Sequence, residues 1–260
     1  MLARLATALI LSGAAKGSGG ERTSTCSIER KMSGLSVEDF RSSSKGSLPV
    51  IFSRGNASAF AAAVARERLL ETHGRREVVL AASNSYSSLK KHDLDLRAYV
   101  ETYVDVATRL EDLTDTSALD SWYLFGDSPR ETFGDLISLY DLPLDSAKDE
   151  GLPVLGIGGA GSGVQFHTHG AAFAESVVGA KRWFVSPPTR KPAFSSDEPT
   201  LRWAAAFDAA GGAARSANNS AVLECVVGAG EVIYVPPNWW HATLNLGVYN
   251  VFVSTFTRES

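Results

Sequence analysis

The chain has 260 residues, of which 44% are hydrophobic and 21% charged, the composition of a globular protein with room for one large domain or two small ones. Its net charge is −4 and it has no dense basic run, which disfavours a nucleic-acid partner. Acidic residues are scattered too, so composition points to no polycationic ligand either.

The chain opens with Met1-Leu2-Ala3-Arg4, a short basic start, and then an apolar stretch of small residues over 5–15. Gly13, Ala14 and Ala15 suit a signal-peptidase site, and a Gly/Ser-rich segment follows. The stretch is short of the roughly 20 apolar residues of a spanning helix, so residues 1–20 read as a secretory signal and flexible segment. A frayed apolar tail is the plainer alternative.

Residues 21–120 read as an α/β portion. A short helix is expected over 37–40 and a strand over 49–52. Asn56 can cap a helix over 57–72, with Phe60, Val64, Leu69 and Leu70 near one face and Gly74 as its stop. A buried strand over 77–80 follows. The spacing of Leu96, Tyr99, Val100, Tyr103, Val104 and Leu110 predicts a second helix over 94–113.

From Trp122 the pattern changes to short strands rich in β-branched and aromatic residues, punctuated by Gly and Pro. Strands are predicted over 122–125, 154–157, 164–169, 175–178, 182–186, 222–227, 231–235 and 249–256. A helix is expected over 199–210, ended by Gly211-Gly212, and residues 216–220 read as a surface loop. The fold class is mainly β with flanking helices: a jelly-roll barrel over 121–260, preceded by the α/β portion packing on it.

Two features agree with a secretory route. Asn56-Ala57-Ser58 and Asn218-Asn219-Ser220 are glycosylation sequons, a tripeptide also common by chance. Cys26 and Cys225, the two cysteines, can form a disulfide in an oxidising lumen or stay as free thiols. The C-terminal Thr257-Arg258-Glu259-Ser260 is not a retention signal of the Lys-Asp-Glu-Leu kind, so lumenal and secreted destinations both stand.

Three of the five histidines lie in two distant stretches. His167 and His169 stand at i and i+2, which on a strand puts both imidazoles on one face. His241 ends Gly228-Ala229-Gly230-Glu231-Val232-Ile233-Tyr234-Val235-Pro236-Pro237-Asn238-Trp239-Trp240-His241, on a segment that also reads as a strand. His73, at a helix end, and His92, in Lys-Lys-His-Asp, read as solvated. Lys181 and Arg182 are neighbours on a strand, so alternation lets one face inward. A cation brought into a low-dielectric cavity calls for an anion there. Trp183, Trp239 and Trp240 read as barrel packing.

The distal Gly-x-Gly-Glu-Val-Ile-Tyr-Val-Pro…Trp-Trp-His run resembles the JmjC domain of the cupin superfamily, the iron(II)- and 2-oxoglutarate-dependent hydroxylases and demethylases. Cys26-Ser27-Ile28-Glu29-Arg30, Ser83-Asn84-Ser85-Tyr86, Trp122-Tyr123-Leu124-Phe125-Gly126-Asp127 and Leu223-Glu224-Cys225 extend the resemblance from about Cys26 to Phe256. It implies that His167, His169 and His241 hold a divalent metal, with iron(II) expected and zinc(II) as the alternative. It implies that Lys181 and Tyr123 contact the far carboxylate of 2-oxoglutarate. The sequence departs from the family at His169, where an Asp or Glu is usual. That change removes one negative charge from the ligand set, while three neutral imidazoles are also a zinc set.

The expected function is hydroxylation of a protein side chain in the secretory route. The alternatives are a non-catalytic JmjC scaffold that binds a protein partner, and a three-histidine zinc protein or dioxygenase that needs no 2-oxo acid. No nucleic-acid partner and no membrane span in the mature chain are expected.

Overall fold

The structure, a computed structural model, describes residues 26–31, 47–55, 57–82, 91–105, 122–126, 130–143, 153–212 and 222–256. The proposed signal segment, the helix over 37–40, both sequon asparagines and the Ser83–Tyr86 motif lie outside the described residues.

From residue 122 onward the alternating apolar residues form strands as the sequence leads one to expect. These are β5 (Trp122–Phe125), β6 (Pro153–Gly158), β7 (Gly163–His167), β8 (Ala172–Val178), β9 (Ala180–Ser186), β10 (Leu223–Gly228), β11 (Glu231–Val235), β12 (Trp240–Asn245) and β13 (Asn250–Phe256). Before them come β1 (Glu29–Lys31), β2 (Val50–Ser53), β3 (Glu77–Ala82) and β4 (Lys91–Asp95). One sheet runs β1-β2-β11-β8-β13-β6-β5-β3-β4 and the other β10-β9-β12-β7. From β6 onward the chain steps from one sheet to the other at each connection except β9 to β10, which is jelly-roll topology. The two sheets face each other without joining by hydrogen bonds into a closed barrel, which refines the expected barrel. The early strands extend the larger sheet: β2 pairs with β11, and β3 pairs with β5.

Burial explains the layering. Ile28, Ile51, Ala174, Trp183, Val185, Val227, Ile233 and Val235 form an apolar cluster with residues from both sheets. A second cluster packs the N-terminal helices α1 (Ala59–Ala63), α2 (Arg66–His73) and α3 (Leu96–Tyr99), and also α4 (Arg130–Ile137), against strands of the larger sheet. A third seats α5 (Thr200–Ala209) against the smaller sheet through Leu201, Ala204, Phe184 and Leu244. Arg182 clamps this helix from outside, reaching Asp208 at 2.6 Å and Glu224 at 2.6 Å.

Three expectations for the N-terminal portion need correction. The single helix over 57–72 is broken: Ser58, not Asn56, caps α1 by accepting from the Ala61 amide, and extended backbone at Ala65 separates α1 from α2. The second helix begins at Leu96, capped by Asp95, and runs into a π-helical turn over Val100–Val104. Leu94 belongs instead to β4, because residues 91–95 pair along β3 and cross-strand hydrogen bonds override helical spacing. His73 is buried rather than solvated, with Thr72 Oγ1 at 2.6 Å and Asp135 at 3.1 Å.

Cys26 and Cys225 form a disulfide across 199 residues of sequence. It ties the segment ahead of β1 to β10, and Arg30 reinforces the joint by donating to the Val226 carbonyl at 2.7 Å and pairing with Glu231. Among the described residues, no helix is long and apolar enough to cross a membrane. Because the disulfide closes so long a loop, replacing both cysteines with serine should lower unfolding stability by about 2–5 kcal/mol. Urea denaturation of the oxidised protein against the double variant measures that difference.

Candidate metal centre

The space between the two sheets holds a cavity of about 40 Å³. The smaller sheet lines it with His167 from β7, Lys181 and Trp183 from β9, and His241 and Thr243 from β12. The larger sheet contributes Tyr123 and Phe125 from β5 and Phe252, Ser254 and Phe256 from β13. No Asp or Glu lines it among the described residues.

The three histidines meet here for different local reasons. His167 ends β7 and His241 lies directly opposite it on β12, so their ring centroids are 4.1 Å apart. The i, i+2 expectation of one strand face fails, because β7 stops at His167 and His169 sits in the following loop. The turn after β11 sets that loop in place. Asn238 adopts a left-handed conformation, φ 63°, and its amide donates to the His169 carbonyl at 2.9 Å. His169 then reaches the cavity with its ring 4.5 Å from that of His241.

Backbone carbonyls fix the proton on each ring. His167 Nδ1 lies 2.8 Å from the Gln165 carbonyl, His169 Nδ1 2.6 Å from that of Gly170, and His241 Nδ1 2.9 Å from that of Trp239. A carbonyl can only accept, so each Nδ1 carries the hydrogen, and the neutral rings of His169 and His241 turn their Nε2 lone pairs toward each other. Burial keeps the rings neutral. It lowers the His167 pKa to about 4, and it lowers those of His169 and His241 as well, the latter well below the ordinary range. The neighbouring imidazoles push His241 the same way.

The ligand nitrogens of the three residues lie within 4.8 Å of one another, and the Nε2 atoms of His169 and His241 are 2.9 Å apart. Two inward lone pairs so close repel unless a cation or proton lies between them. A proton would make one ring an imidazolium, which burial opposes. The donor set therefore fits a divalent ion. At metal–nitrogen bonds of about 2.0–2.1 Å, two nitrogens this close could both reach one ion.

Lys181 faces the cavity while Arg182 faces out. The Lys181 ammonium donates to the Tyr123 hydroxyl at 2.8 Å and stands 3.1 Å from the centroid of the Phe252 ring. No carboxylate pairs with it in the described residues, and burial drives its pKa well below the ordinary lysine value. Burial raises the Tyr123 pKa, so that hydroxyl stays protonated. Of the tryptophans read as packing, Trp183 and Trp239 are buried and Trp240 is half-buried; Trp183 also stacks on His241 at 6.0 Å. Sequence reasoning missed Phe252. Its signal was Gly156, the residue opposite it on β6, whose missing side chain leaves room for a large ring.

Residues 38–259 match the family model described as a cupin-like domain. The chain is 38% identical to JmjC domain-containing protein 8 of Homo sapiens over 239 residues, 89% of this chain and 83% of the human protein. Its counterpart in Mus musculus is 37% identical over 235 residues, covering 89% and 82%. An arginine-specific demethylase of Arabidopsis thaliana is 30% identical over 149 residues, 48% of this chain and 28% of that protein.

A lysine whose pKa is depressed by folding costs stability while the unfolded chain binds its proton, and that cost fades as pH rises toward the ordinary value near 10.5. Lys181→Met should therefore stabilise the ligand-free protein by about 1–3 kcal/mol at pH 7, with a smaller gain near pH 10. Urea unfolding at both pH values measures it. A gain that does not shrink with pH would show that the stability cost is not the buried charge.

Proposed function

The chain belongs to the cupin-like JmjC-domain family, and on that premise we propose that it is a divalent-metal oxygenase hydroxylating a protein side chain in the secretory route. Iron(II) is the proposed metal and 2-oxoglutarate the proposed cosubstrate. The observation that carries this reading is the 2.9 Å approach of two Nε2 atoms whose rings already hold their protons at Nδ1. His167, His169 and His241 would hold the metal. When bound, iron with a 2-oxo acid and oxygen supplies an oxidant able to hydroxylate a C–H bond.

The chain's own residues do the rest. Lys181 and Tyr123 offer an ammonium and a hydroxyl to the far carboxylate of the acid, and an anion there would offset the buried cation. Trp183 and Phe256, whose ring packs 4.9 Å from that of His169, exclude water around the imidazoles. The disulfide supports an oxidising compartment, since such bonds persist there and are rare in the cytosol. The arginine-specific demethylase among the relatives supports a protein substrate.

A second reading has an observation of its own. With no carboxylate among the described residues that line the cavity, the three-histidine ligand set carries no charge, and nitrogen-rich sites favour zinc over iron. That combination favours a JmjC scaffold that holds a metal and binds a protein partner without turnover.

Protein purified without oxygen should bind one divalent ion per chain and decarboxylate saturating 2-oxoglutarate only with iron(II). His241→Ala should weaken metal binding by more than the roughly 10–100-fold cost of losing an outer hydrogen-bond partner. Stoichiometric zinc with no turnover sinks the hydroxylase reading and leaves the scaffold. Turnover that appears only in His169→Asp marks the natural protein as an inactive relative.

A further inference from the structure

The Phe252 ring occupies the Lys181 end of the cavity, and its position is built into the fold. Tyr123 stacks on it with centroids 5.8 Å apart and planes at 17°, and Phe125 packs at 5.1 Å. Gly156 pairs with Phe252 across β6 and β13, and a Cβ at Gly156 would collide with the ring. The open face of the ring then meets the Lys181 ammonium at 3.1 Å, a cation–π contact. A ring held on three sides and capped by a buried cation is a wall of the cavity rather than a loose rotamer.

The remaining space is small. The cavity measures about 40 Å³. 2-Oxoglutarate is a five-carbon dicarboxylate with ten non-hydrogen atoms, and the ring stands where its far carboxylate would meet Lys181. We propose that Phe252 limits the length of the acid that the metal cavity accepts, its ring crowding the Lys181 end so that the five-carbon 2-oxoglutarate binds more weakly than it would beside a smaller residue. This rests on the metal-and-2-oxo-acid reading and names what limits the acid at that site. Lys181 and Tyr123 remain its polar partners, with Phe252 as the specificity-determining residue beside them.

The test is binding, not turnover. Wild type, Phe252→Leu and Phe252→Ala are loaded with manganese(II) without oxygen and titrated calorimetrically with glyoxylate and with 2-oxoglutarate. Phe252→Leu guards against the alanine variant failing to fold, and metal affinity is measured for each form. One or two methylenes in a pocket are worth about 10–200-fold, so shortening residue 252 should tighten 2-oxoglutarate binding by at least about tenfold and change glyoxylate binding far less. Equal affinity for 2-oxoglutarate in wild type and variants overturns the role of Phe252 and leaves the cosubstrate reading intact. Metal bound by every form with no acid bound by any overturns both.

Discussion

Three imidazoles can crowd around one cavity, His241 buried and His167 and His169 half-buried, only if they are uncharged, and the centre of this protein is organised around that constraint. The carbonyls of Gln165, Gly170 and Trp239 hold each ring in the Nδ1–H form, so the lone pairs turned inward have no proton to share. Those carbonyls are fixed in turn by the pairing of β7 with β12 and by the Asn238 amide, which draws the His169 loop against the turn after β11. Remove the backbone frame and the rings could rotate, protonate or move apart. With it, the mutual repulsion of the nitrogens is relieved most directly by a metal ion.

The cavity is divided between two sheets with different chemistries. The smaller sheet supplies His167, His241 and Lys181, while the larger supplies Tyr123, Phe252 and Phe256. Polar ligands thus face an aromatic wall, and the Lys181 ammonium is met by a hydroxyl and a ring face, with no carboxylate beside it among the described residues. This asymmetry links affinity for a metal to selectivity for whatever binds beside it. The disulfide reaches the same region, since Cys225 on β10 lies opposite Trp183 on β9, and Trp183 stacks on His241.

Much of this was legible in the sequence. The strand over 231–235 emerged with the same bounds, and the motif ending in His241 located the third imidazole. Alternation let only one of Lys181 and Arg182 face inward; that one is Lys181, while Arg182 meets Asp208 and Glu224 on the outer side. What stayed hidden depends on partners distant in sequence. Leu94, at the expected start of the second helix, pairs with β3 instead, and His169 leaves its strand because a turn some 70 residues later holds its carbonyl. The role of Phe252 was hidden for the same reason: its position makes sense only once Gly156 is seen across the sheet.

The central claim is that three neutral imidazoles converge on one ion. X-ray absorption of the metal-loaded protein addresses it without reference to any substrate. The account predicts three imidazole nitrogens at about 2.0–2.1 Å from the metal, falling to two in His169→Ala. A first shell of oxygen alone, or one unchanged when His169 is removed, would contradict it.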